Sequence, residues 1–156
     1  MNFNGMPFAE TPENKVQSDP FFPELCIKEL TENYGVETTY SSNIEMLIEK
    51  LMQAVVFVND QLSEYHVLHW SENEKLEDVY DAHINNENRL IILYKKAVYS
   101  LAKSYLLISK LGETNRDNKI AQQESAADNQ KHWQTQCFEA IRAMQGINST
   151  LSVALL

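Results

Sequence analysis

Glycine is scarce: the 156-residue chain contains four. That excludes loops whose backbone cradles phosphate, and neither a Gly-rich stretch before Lys-Ser or Lys-Thr nor a dinucleotide fingerprint occurs. Cysteine is scarcer still. Cys26 and Cys137 sit in apolar company at no metal-type spacing, and read as reduced, buried thiols of an intracellular protein. No run reaches the ~18 apolar residues of a membrane span, and the amino terminus lacks a basic segment followed by an apolar one, so no membrane partner is expected. Basic residues are in the minority, 13 Lys and Arg against 22 Asp and Glu, for a net charge of −9. A broad basic face for phosphate backbones is therefore excluded. An acidic surface lets DNA pass close by without adhering.

What is present is apolar periodicity. A chain of this length forms one domain, able to bury roughly 68 to 70 % of the surface it exposes when unfolded. Residues 1–19 are polar, hold Gly5, Pro7 and Pro12 and show no period, so they read as a flexible arm. Residues 20–146 form the helical domain. Asp19-Pro20-Phe21-Phe22-Pro23-Glu24 is expected to open a short helix ended by Gly35, with Pro23 in its first turn and an apolar surface of Phe21, Phe22, Leu25, Ile27 and Leu30. Ser41 or Ser42 can cap the next helix, Glu45 completing a capping box with Ser42. Its stripe is Ile44, Leu47, Ile48, Leu51, Val55, Val58, Leu62 and Tyr65.

Residues 71–88 are a polar, acid-rich connection with room for a short helical turn. The following helix, 89–111, carries Leu90, Leu93, Tyr94, Ala97, Leu101, Tyr105 and Ile108 on one face, and further apolar residues on its other sides. A helix apolar nearly all round is either central in its bundle or covered by a neighbouring subunit. Gly112 closes it before a polar link. The last helix, starting near Ile120 or Ala126, buries Trp133, Cys137, Ala140, Ile141 and Met144 and stops at Gly146. Residues 147–156 form an uncharged, apolar tail that should lie against something. The fold class is all-α: an antiparallel helical bundle of three long helices and one short helix, with a flexible N-terminal arm and an extended C-terminal tail.

Side chains able to do chemistry are few. His66 and His69, three apart on a helical face, are the best metal candidates, but no Glu-x-x-His element of the carboxylate-bridged bundles occurs. A metal- or ligand-binding helix bundle using them is the alternative function. His83 and Glu87 read as an exposed helix pair, and His132 beside Trp133 as the edge of the core. The acid-rich connection lacks the alternating Asp ladder of a calcium loop. No catalytic, cofactor-binding or metal-ligating residue is assigned, and an enzyme is not expected.

The order of several features resembles the GPL-type phage head completion proteins. They are a polar arm, Phe21-Phe22-Pro23 before a short helix, a long helix after Ser42, a helix marked Tyr94-Lys95-Lys96-Ala97-Val98 and running on to Tyr105, and a closing helix ending Ile141-Arg142-Ala143-Met144-Gln145-Gly146 before a short tail. The resemblance spans residues 20–156. It implies a virion protein, made in the host cytoplasm, that attaches as a ring to the portal after DNA packaging. There it would retain the genome and join head to neck or tail.

The implied partners are the portal protein, neighbouring copies in a closed ring (about twelve-fold by that resemblance), a downstream neck or tail completion protein, and packaged DNA as a passing contact. Portal binding is expected from the tail, at Ile147, Thr150, Leu151, Val153, Leu155 and Leu156. Contact between copies is expected at Ile91, Ile92, Val98, Leu106 and Leu107.

Overall fold

A computed structural model describes residues 14–36, 44–111 and 119–147, with the backbone alone for 109–111 and 119–127. The proposed capping box at Ser42, the helix stop at Gly112, the link after it, and tail residues 148–156 lie outside the described residues.

The chain is mainly helical, as expected, but it also forms two small antiparallel sheets that periodicity did not signal. Strand β1, Lys15–Val16, pairs with β2, Leu25–Cys26, Lys15 standing opposite Cys26. Two consequences revise the sequence reading. Lys15 and Val16, assigned to the flexible arm, belong to the folded body, and Val16 is buried. The short helix α1, Ile27–Asn33, begins after Cys26, because Leu25 and Cys26 are spent on strand pairing and Pro23 lies ahead of the strand. Between the strands, an Asp19 carboxylate oxygen accepts the Phe21 N–H at 2.9 Å, and the Asp19 carbonyl accepts the Phe22 N–H at 3.0 Å. This Asx-type turn drives both phenylalanines into the core.

Helix α2, Ile44–Tyr65, buries Leu47, Leu51, Ala54, Val55, Val58 and Leu62. It continues into one wide π turn, His66–Trp70. The five-residue repeat sets Trp70 over Tyr65, ring centroids 4.9 Å apart, and turns the indole inward. A 3₁₀ turn, Leu76–Asp78, is fastened by the Leu76 N–H, which donates to the Phe21 carbonyl at 2.8 Å. The hairpin of β3, His83–Ile84, and β4, Glu87–Asn88, follows. Asn85 and Asn86 have φ of 52° and 64°, the left-handed pair of a type I′ turn.

Helix α3, Arg89–Leu111, starts where expected. Asn88 caps it, its side-chain oxygen accepting the Leu90 N–H at 2.8 Å. Helix α4, Lys119–Met144, lies antiparallel to α3: Arg89 reaches the Ala143 carbonyl at 3.4 Å, and Lys103 lies over the Trp133 ring at 4.7 Å. Gly146, at φ 71°, ends α4 in a Schellman turn, with Gly146 N–H to Ala143 carbonyl at 3.1 Å and Ile147 N–H to Arg142 carbonyl at 2.9 Å.

The core runs along α3, which is flanked on three sides. Tyr94 donates to Asn59 of α2 at 2.8 Å, Tyr99 meets α1, and a further side packs along α4. A helix apolar all round is here central.

Candidate functional site

Two surfaces and a histidine pair are the candidates that the sequence offers. Among the tail residues Ile147 alone is described; it stands 53 % exposed just beyond the Schellman turn. Thr150, Leu151, Val153, Leu155 and Leu156 lie outside the described residues.

The five residues nominated for contact between copies divide. Ile91, Val98 and Leu106 are buried within a single chain, at 8 %, 0 % and 2 % exposure. Central placement of α3 is the physical reason: these side chains are already covered by the rest of their own chain. Ile92 and Leu107 are half-buried, and Ile108, next after Leu107, is exposed.

The histidines are held by aromatic rings. His66 stacks on Phe21, centroids 3.9 Å apart, and His69 leans on Tyr65 at 4.2 Å. Among the described residues, no group of three or more His, Cys, Asp or Glu side chains could hold a metal ion. His83 sits in β3 opposite Asn88, so its pairing with Glu87 as helix neighbours is withdrawn. His132 is exposed, edge-on to Trp133 at 5.2 Å.

Glu29, Lys95 and Lys103 on the α1 side are engaged within the chain. Glu29 accepts the Tyr99 hydroxyl at 2.5 Å and the Lys95 ammonium at 3.2 Å, while the Cys26 N–H donates to the Tyr99 oxygen at 3.0 Å. Lys95 also lies 3.9 Å from Glu87, and Lys103 donates to the Tyr34 carbonyl. Burial, then the hydrogen bond to the Glu29 carboxylate, raises the Tyr99 hydroxyl well above its ordinary range. Burial raises Tyr94 likewise and pushes the Cys137 thiol up to about 12. An inert thiol and un-ionised phenols are what a structural core uses; a nucleophile or a general base needs the opposite shift.

Sequence reasoning missed the exposed apolar side chains at the hairpin end of the bundle. Tyr80 is fully exposed, Val67 70 %, Leu68 66 % and Ile84 55 %. The Asn85-Asn86 pair was the one local signal for the hairpin, and its two-residue strands are too short to show alternation.

Among the described residues, no helix is long and apolar enough to cross a membrane. A family model described as phage head completion protein (GPL) matches residues 16–156. No curated protein and no solved structure matches the chain.

Proposed function

The chain belongs to the phage head completion protein family, and on that footing we propose that it is the adaptor subunit that rings the portal after DNA packaging, helps retain the genome, and joins head to neck or tail. Membership makes it a structural protein of the bacteriophage virion that acts in head assembly and meets other head or tail components. The adaptor role is the finer reading. The observation that carries it is the length of the match, which takes in the helical body and the tail together.

Three features support it. A net charge of −9 suits a channel wall past which DNA slides. Contact between copies falls to Ile92 and Leu107, since Ile91, Val98 and Leu106 are buried within the chain. The uncharged tail, leaving the body at an exposed Ile147, is suited to lie along the portal, as an added strand or in a groove.

Deleting residues 149–156 tests the tail. Far-ultraviolet circular dichroism should be unchanged, because the Schellman turn at Gly146 closes α4 without those residues. Attachment to portal-bearing heads should be lost. Retention on heads equal to that of the full chain would dismiss the tail as the portal clasp.

A further inference from the structure

Scattered apolar residues in water are ordinary on any protein surface. Their distribution here is uneven. Of the nine large apolar side chains exposed among the described residues, five occupy one end of the bundle: Val67, Leu68, Tyr80, Ile84 and Ile147. Three links define that end. The Arg89 N–H donates to the Ala82 carbonyl at 2.8 Å, the Arg89 guanidinium to the Ala143 carbonyl at 3.4 Å, and the Gln145 amide to the Gln61 carbonyl at 3.4 Å. The start of α3, the end of α4 and the end of α2 therefore meet there.

These side chains stand on fixed backbone. Val79, before Tyr80, packs against the core, and Asp81, after it, is bridged to Arg89 at 3.3 Å. Ile84 is held by the hairpin, whose base is locked by Asn88: the Asn88 amide donates to the Glu77 and Val79 carbonyls at 3.1 and 2.9 Å. Ordered structure that lifts apolar tips into water marks a surface built for contact. The same stretch is the most acidic of the chain, with Glu72, Glu74, Glu77, Asp78, Asp81 and Glu87 against Lys75 alone.

We propose that this end docks on a protein surface of the phage head that presents lysine and arginine around an apolar recess. The inference rests on the head-structural reading above. Charge complementarity selects the occupant: apolar tips fill the centre of such an interface, and carboxylates meet cations at its rim. Duplex DNA fits poorly, since phosphates would face carboxylates. Ile147, the last described residue, stands exposed on this same end.

The test uses the full-length chain and purified DNA-filled heads lacking this protein, with bound protein measured by co-sedimentation. Tyr80→Ser with Ile84→Ser should weaken binding by about tenfold or more while leaving circular dichroism and melting unchanged. Val67→Ser with Leu68→Ser, off the hairpin, should weaken it in the same direction. Glu74→Lys with Asp78→Lys should also weaken binding, and salt should weaken the wild type more than this charge-reversed form. Wild-type binding with all three variants within twofold of it would overturn the proposal and leave the adaptor role standing. Tighter binding of the charge-reversed form, competed by duplex DNA, would assign the surface to nucleic acid instead. Heads that bind no wild-type protein would overturn the adaptor reading and this one together.

Discussion

At the scale of single residues, the fold depends on how buried polar atoms are partnered. Asn88 is 5 % exposed and uses its whole side chain: its oxygen caps α3 and its amide closes two carbonyls of the preceding loop. Asn88→Ala removes the cap and leaves those carbonyls short of donors, which should cost about 2 to 4 kcal/mol. Ser100 is the counter-example. It is fully buried, and its hydroxyl has no hydrogen-bond partner, while Ser104, one turn on, donates to the Leu101 carbonyl at 2.8 Å. Ser100→Ala should therefore raise stability by about 1 kcal/mol, and Ser104→Ala should lower it or leave it unchanged. Denaturant melts of the two variants check this, and a loss for Ser100→Ala would show that the hydroxyl is satisfied in solution.

Buried acids fix the pH dependence. Tyr94, Tyr99 and Cys137 have their protonated forms favoured in the folded chain, chiefly by burial. Their folded values lie above the ordinary 10.0 of tyrosine and 9.0 of cysteine, so the stabilisation is complete below pH 9. Above that, the unfolded chain releases protons first, and stability falls as pH rises. The contribution of these three groups to the midpoint in urea should thus be constant below pH 9 and decline from there towards pH 12. Tyr99→Phe should be less stable at neutral pH by about 2 kcal/mol, having lost a hydrogen bond to a carboxylate, and should show a shallower alkaline decline. A parallel decline would place the titrating groups elsewhere.

At the scale of elements, legibility followed length. The stripe of α2 and the span of α3 were readable because six turns of three-and-four spacing average out local exceptions such as the run of valines at 55, 56 and 58. The two-residue strands were invisible for the converse reason, since a pair of residues has no period. Pro23-Glu24 looked like a helix start by local chemistry, and a non-local pairing, Leu25–Cys26 with Lys15–Val16, overrode it. The π turn at His66–Trp70 was equally hidden, although it explains why Trp70 is buried while Val67 and Leu68 stand in water. Glycine at a stop was legible. Gly146 has φ 71° and open space where a Cβ would go, so Gly146→Ala meets no clash and isolates the backbone term. It should cost about 1 to 2 kcal/mol, and Gly146→Asn less, as thermal melts of the two variants would show.

At the scale of the molecule, an all-round apolar α3 allowed two readings, and the geometry selects the one in which neighbours within the chain cover it. Legibility of the candidate surfaces suffers accordingly: periodicity reports that a side is apolar, not what lies against it. Ile91, Val98 and Leu106 therefore read as contacts between copies by periodicity, although they are core. The consequence concerns assembly. With most of α3 covered internally, Ile108 is the one large apolar side chain exposed among its described residues, a small area beside the ~800 Å² per partner of a standard stable interface. Copies carrying a net charge of −9 also repel one another at low ionic strength. The isolated protein should therefore be a monomer of 18.0 kDa at micromolar concentration, and should associate only where a head holds many copies side by side. Multi-angle light scattering of the free protein at low and high salt checks this. A stable ring without heads, at low salt, would mean that copies recognise each other through a surface other than the flank of α3.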